Sequence, residues 1–296
     1  MKLGAAWYGF GNLSPTNYFE IVAALGLRYA EVPLYGFCLG GEGWYRFRAD
    51  IQAVAETARR VGVEIVSGVA HTHIGGWVEG DEIVRDGVEL AVILAKRAID
   101  VGAALGTQVV RVTEPGDLRP DHVHLEEEYV QSYGQALRAL GEYAARRDVR
   151  IAIENTALSS VRIKRIVDAA DHPAVGTLYD PCNYYRHGED PLSALKKLGQ
   201  RVIYCHLKDA HFPYPAQEPE VMPRVRGLGA QVEPWWWIRP LGEGNIDWGP
   251  ILAELATFYD GYLCLEHDIR DSVVRGTRLG MAHVRRIAAE YGLEIE

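Results

Sequence analysis

Eight times along its length the chain repeats one order of parts: an amphipathic helical stretch, often a glycine, a short β-branched run, then a polar loop. The β-branched runs fall at 2–7, 28–33, 63–68, 107–113, 149–154, 174–179, 201–206 and 261–266. Glycines able to close the preceding helix stand at Gly26, Gly62, Gly106, Gly199 and Gly261. Helix starts are marked as well, since Ser14-Pro15 and Asp190-Pro191 each set a capping side chain before a proline at the first helical position. Ile51, Val54, Ala55, Ala58 and Val61 recur at helical spacing. Tyr129, Leu137, Leu140 and Tyr143 give a similar face to a helix beginning near Glu126.

Strands that alternate with helices lie parallel, and eight of them close into a barrel. The sequence therefore predicts an α/β fold of the (β/α)8 TIM-barrel type, with 1–296 as one domain. The competing open, doubly wound sheet calls for a GxGxxG loop after the first strand. Here Tyr8-Gly9-Phe10-Gly11-Asn12 has glycines at the wrong spacing. One loop breaks the rhythm, an insertion at about 210–240 rich in proline and aromatics that includes Trp235-Trp236-Trp237.

Bulk properties exclude several partners. A formal net charge of −9, with scattered Arg and Lys, repels phosphate backbones and argues against nucleic acid. No run approaches the roughly 18 apolar residues of a membrane span, and the first residues lack the pattern of a secretion signal. Cys38, Cys182, Cys205 and Cys264 show no CxxC spacing and read as reduced packing residues of a cytoplasmic protein.

The chemistry gathers at four strand ends. The fifth run ends in Glu154-Asn155, the sixth in Asp180-Pro181, the seventh in His206-Leu207-Lys208-Asp209 and the eighth in Glu266-His267. In a parallel barrel these ends share one face. Alternation puts Ala152, Leu178, Tyr204 and Cys264 on the barrel interior with them, and turns Ile153, Tyr179, Cys205 and Leu265 toward the helices. Singly, an acidic residue at a strand end is more often a cap or a solvated loop residue, and a lone histidine a hydrogen-bonded core residue. Four on consecutive strands read as ligands: Glu154, Asp180, His206 and Glu266. Three carboxylates and an imidazole suit one divalent ion, manganese ahead of magnesium, cobalt or zinc.

This set of motifs resembles the xylose isomerase-like barrel superfamily, also called the sugar phosphate isomerase/epimerase family. The resemblance spans essentially the whole chain and rests on Glu154-Asn155, Asp180-Pro181-Cys182-Asn183, His206-Leu207-Lys208-Asp209, Gly242-Glu243-Gly244-Asn245-Ile246-Asp247-Trp248 and Glu266. It implies that the matching Glu, Asp, His and Glu hold a metal. Departures narrow the choice. Endonuclease IV-like members carry a histidine where this chain has Asn183, and ketose 3-epimerases an arginine where it has Phe212. Inosose dehydratases share the HxKD pattern and a long loop ahead of the glycine-rich turn.

The first expectation is a metal-dependent isomerase or epimerase of a small sugar or polyol. It would act by proton abstraction beside a carbonyl, with Glu154 and Glu266 as base and acid and Lys208 neutralising an oxyanion. The second is a lyase of the same superfamily, dehydrating a keto-inositol or expelling an aglycone from a 3-oxo-glycoside. A metal-free sugar-binding barrel is the third. His71, His73, Asn183 and Trp237 are the expected substrate contacts, and Glu31 a hydrogen-bonding group at the barrel mouth. The tryptophan triplet reads equally as a sugar platform, a lid or a contact within a homo-oligomer. The bland alternative for Lys208 is a salt bridge to Asp209 or Glu243. No phosphate-cradling loop is evident, which favours an unphosphorylated substrate.

Overall fold

The computed structural model describes residues 1–10, 13–34, 48–73, 77–79, 82–114, 118, 120–211, 238–267 and 273–296. Eight parallel strands form a closed barrel: β1 (Lys2–Ala5), β2 (Tyr29–Pro33), β3 (Glu64–His73), β4 (Val109–Thr113), β5 (Arg150–Glu154), β6 (Val175–Tyr179), β7 (Val202–Leu207) and β8 (Tyr262–Leu265). Each strand pairs with the next, and the ring closes where β1 meets β8 in the register Gly4 to Cys264. Around it run α1 (Pro15–Ala24), α2 (Arg48–Val61), α3 (Arg85–Leu105), α4 (Glu126–Ala145), α5 (Ser160–Ala170), α6 (Pro181–Arg186), α7 (Pro191–Leu198), α8 (Trp248–Leu255) and α9 (Val273–Tyr291).

Local signals do what their chemistry demands. The side chains of Ser14, Ser159 and Asp190 accept the N–H groups of Asn17, Arg162 and Ser193, so α1, α5 and α7 begin with a satisfied donor. Gly106 ends α3 at φ +83°, a conformation that a side chain would strain.

The apolar residues sort into two shells, as the alternation requires. Ala152, Leu178, Tyr204 and Cys264 join Tyr29, Val66, Val109 and Tyr262 inside the barrel. Ile153, Tyr179, Cys205 and Leu265 pack in the larger layer between strands and helices. Each such buried aliphatic side chain contributes roughly 1.5–3 kcal/mol. Both shells fix the polar residues that follow them on the same strands.

Two features depart from the sequence reading. Strand β3 runs on to His73, which pairs with Thr113, so His71 and His73 belong to the strand rather than to the loop after it. In the 210–240 insertion, Asp209–Ala210 pairs antiparallel with Ile238–Arg239, which brings its two ends together. Trp235, Trp236, Trp237 and Phe212 lie outside the described residues, as do the side chains of His71 and His73.

A carboxylate and imidazole cluster at the barrel mouth

Strands β5 to β8 are consecutive neighbours in the ring, and their ends bring Glu154, Asp180, His206 and Glu266 together. One ligand atom from each lies within 4.8 Å of all the others, and all four residues are buried. Asp180 satisfies both readings of a strand-end acid. Its Oδ1 accepts the N–H groups of Cys182, at 2.9 Å, and Asn183, at 3.3 Å, and so caps α6. Its Oδ2 faces the cluster.

Burying this much charge is costly unless every ion is compensated. Two cations do part of that. Lys208, just past β7, sets Nζ 2.8 Å from Asp180 Oδ2 and 3.2 Å from Glu266 Oε1. Arg111, in the middle of β4, presses its guanidinium against Glu154 Oε2. Lys208 thus reaches the ligand carboxylates, and Asp209, one of its two alternative partners, is engaged elsewhere. Asp209 instead accepts the N–H groups of Ala210, Gly242 and Gly244 and the indole of Trp248, and shapes the glycine-rich turn. A Cβ at Gly244 would stand 2.0 Å from Asp209 Oδ1, so that approach requires glycine.

The electrostatics follow from these contacts. Burial works against a charged His206, but the carboxylates of Glu31 and Glu266 outweigh it and push the imidazole up to about 10. Burial also lifts Asp180 above the usual carboxylate range, opposed by Lys208. For Glu266 the balance reverses: burial is overcome by Lys208 and His206, which hold it well below that range.

One atom of each residue, Glu154 Oε2, Asp180 Oδ2, His206 Nδ1 and Glu266 Oε2, is buried and turned into the cluster, where Glu154 meets Arg111, Asp180 meets Lys208, and His206 and Glu266 meet each other. Nδ1 of His206 stands 2.6 Å from Glu266 Oε2 and 3.6 Å from Glu154 Oε1. Three carboxylates and an imidazole this close together carry negative charge that Arg111 and Lys208 offset only in part, which is what a bound cation balances, and the donor set fits a divalent ion.

Asn183, expected to touch substrate, sits beside the cluster. Its Nδ2 donates to the carbonyl of Asn155 at 2.8 Å and to Glu154 Oε1 at 3.4 Å. Behind it, Glu114 accepts from the N–H groups of Thr156 and Ala157 and the hydroxyl of Thr156, pinning the loop after β5. Sequence reasoning missed Arg111 and Glu114. The signal for Arg111 was available, since an arginine inside Val109-Val110-Arg111-Val112 shares the inward parity of Val109.

A profile of the xylose isomerase-like TIM barrel family matches residues 19–287. The chain belongs to that family. Among curated members, an inosose dehydratase of Clostridium botulinum is 27% identical over 194 residues, 57% of this chain and 60% of the relative. A 3-dehydroshikimate dehydratase of Pseudomonas putida is 28% identical over 235 residues, 77% of this chain and 34% of the relative. The chain thus spans about 60% or less of the length of these relatives. Two solved family folds superpose over nearly the whole chain. The IOLI protein, described with a bound zinc atom, has TM-score 0.76 at 16% identity, covering 98% of this chain and 99% of its own. A D-tagatose 3-epimerase-like protein has TM-score 0.72 at 19% identity, with coverage of 98% and 99%.

Proposed function

We propose that this chain is a metal-dependent lyase that removes water from a β-hydroxy ketone of the keto-cyclitol class. The relatives named above as dehydratases favour elimination, the second of the two enzyme activities expected from sequence, over isomerisation or epimerisation. The observation that carries the reading is the pairing of Lys208 Nζ with Glu266 Oε1 at 3.2 Å.

Elimination needs a base for the proton beside the carbonyl and an acid for the departing hydroxide. Here the two are hydrogen-bonded to each other. Glu266 takes the α-proton as the C–H electrons form the new double bond. The C–O bond at the β-carbon breaks, and the ammonium of Lys208 protonates the leaving hydroxide to water. Glu266, now protonated, then returns its proton to the Lys208 amine along their shared hydrogen bond. Enone and water leave, and both side chains regain their starting states. Epimerisation would ask Glu154 to work on the opposite face, and the guanidinium of Arg111 already occupies its second oxygen.

Glu154, Asp180, His206 and Glu266 would hold the divalent ion, which when bound supplies Lewis-acid polarisation of the carbonyl. We assign manganese on the strength of three carboxylates to one imidazole. Charge favours an unphosphorylated, uncharged substrate. Among the described residues, the carboxylates of Glu31, Glu154, Asp180 and Glu266 face the cations Arg111 and Lys208; with His206 neutral, as a ligand must be, the formal charge is −2, which a dication cancels.

The test is turnover by the metal-stripped and manganese-reloaded protein on an inosose, 3-dehydroshikimate, a 3-oxo-glycoside and a set of ketoses, run in deuterated water. Growth of enone absorbance with the inosose, only after reloading, is the expected result. Deuterium entering a recovered ketose without loss of water would return the reading to an epimerase.

A further inference from the structure

Glu31 has no part in the elimination just described, yet it is among the most buried charges of the molecule. It lies on β2, 1% exposed, with Oε2 3.0 Å from His206 Nε2. The imidazole ring thus stands between Glu31 and the other carboxylates, whose near atoms face Nδ1 on its other side. Glu31 is therefore placed to hold His206 rather than to join the ligand set.

A neutral imidazole has one N–H and one bare nitrogen, and the partner of the first decides which is which. A carboxylate can only accept, so Glu31 requires the hydrogen on Nε2. Nδ1, 2.6 Å from Glu266 Oε2, is then the nitrogen that gives up its hydrogen when an ion enters beside Glu266. Nδ1 is also the nitrogen that faces Glu154 and Glu266, two of the residues that would hold the ion. We propose that Glu31 is a positioning residue of the metal centre, fixing the tautomer and the tilt of His206 so that Nδ1 is presented to the ion. The inference rests on the metal-site reading above.

The fold holds Glu31 firmly enough for this. Its main-chain carbonyl accepts the Tyr18 hydroxyl at 2.9 Å, and the same hydroxyl lies 3.1 Å from the carbonyl of Ala5, tying β2 to β1 through α1. On the other side the register between β2 and β3 slips after Ala30, so that Ser67 rather than Val66 stands opposite Glu31. The Ser67 hydroxyl is then 3.5 Å from Glu31 Oε2, while Val66 packs into the barrel interior. Such irregularities recur near functional sites because they re-aim one side chain.

The experiment compares wild type, Glu31→Leu and Glu31→Gln, with His206→Ala as the lost-ligand reference. Zinc binding to the metal-free proteins is measured by calorimetry, and the histidine ring nitrogens of the zinc-loaded proteins by 15N correlation spectra. Glu31→Leu should bind zinc about 10–100-fold more weakly, the usual effect of removing such an outer partner. Glu31→Gln keeps an acceptor oxygen and should recover most of that loss. The wild-type spectrum should show Nδ1 bound to zinc and a protonated Nε2. Zinc affinity of Glu31→Leu within about twofold of wild type, or wild-type coordination through Nε2, would overturn the proposal alone. A wild type that binds zinc no better than His206→Ala would overturn the metal reading and this one with it. Circular dichroism of each variant separates unfolding from weakened binding, and Glu31→Gln carries the test if Glu31→Leu fails to fold.

Discussion

The two ends of the barrel both carry charge and aromatic rings, and they treat their polar atoms differently. At the N-terminal end, Lys2 Nζ sits 5.5 and 5.3 Å from the ring centres of Tyr29 and Tyr262, which are themselves 5.2 Å apart. The Tyr262 hydroxyl accepts from Gln108 and donates to Glu64, and the Tyr29 hydroxyl donates to Glu296. Each of these groups has a partner close at hand. At the C-terminal end, three carboxylates and one imidazole bring an atom each within 4.8 Å of the others, and Arg111 and Lys208 offset only part of that charge. A fold that partners the charge of one end and leaves negative charge partly uncancelled at the other can hold a cation at the second.

The sharpest way to break that contrast is Asp180→Asn. Asparagine keeps an oxygen for the N–H groups of Cys182 and Asn183, so α6 still starts where it does. Gone are the charge offered to the ion and the buried ion pair with Lys208. Manganese-dependent turnover should fall by roughly 10³-fold, a loss of about 4 kcal/mol of barrier lowering, while the folded state persists because Lys208 keeps Glu266 as a partner. Steady-state rates and chemical denaturation of the same preparation read the two quantities. Unfolding that accounts for the loss would mean Asp180 serves the fold alone.

Next in size is Lys208→Met. It removes the proposed proton donor while leaving Glu266 in place. Enone formation should drop about 10²- to 10³-fold. Exchange of the α-proton with deuterated solvent should survive to a greater degree, since the base remains. Metal affinity should hold or rise, because a cation beside two ligand residues has gone. Equal loss of exchange and elimination would place Lys208 in binding instead of proton transfer.

The contrast between the two ends also explains what could be read from sequence. The barrel, the two shells of apolar residues and the meeting of Glu154, Asp180, His206 and Glu266 follow from local periodicity and from the rule that parallel strands end on one face. Both are properties of single segments. The support around the ligands is not. Arg111 and Glu31 reach the cluster from β4 and β2, and which acid each cation meets depends on register and strand tilt. Lys208 illustrates the limit: its inward parity was legible, but its neighbour in sequence, Asp209, was a plausible partner until the turn at Gly242 and Gly244 claimed it. The slip that sets Ser67 against Glu31 leaves no mark in the pattern of residues.

A smaller effect should appear just behind the site, at a histidine that burial keeps neutral. His187 Nε2 lies 2.7 Å from the carbonyl of Thr156, on the loop that follows Glu154. Burial pulls its imidazole down to about 4; the Thr156 carbonyl opposes the shift and Arg186 adds to it. In the unfolded chain a histidine titrates near 6.5. Between those values the unfolded state binds the extra proton and the folded state does not, so stability is lost as pH falls from about 6.5 to about 4 and levels off below. At pH 5 the contribution is about 2 kcal/mol. Denaturation midpoints at pH 7 and pH 5 check it: wild type should lose that much more than His187→Gln. An equal loss in both would move the acid sensitivity to other groups.

The smallest effect belongs to the satisfied end, and it sharpens the comparison by being small. Tyr262→Phe deletes a hydroxyl hydrogen-bonded to Gln108 at 3.2 Å and to Glu64 at 3.3 Å, and leaves the ring under Lys2 unchanged. Both partners are side chains near the rim, where water can replace what is removed, so stability should fall by less than about 1 kcal/mol. Zinc affinity and turnover should match wild type, because Tyr262 sits at the opposite end of β8 from Glu266, with Leu263, Cys264 and Leu265 packed between them. Calorimetry and rates on this variant test whether the ends are independent. A metal affinity that changed severalfold would mean the barrel interior transmits strain along β8, and the division of labour between the two ends would then fail.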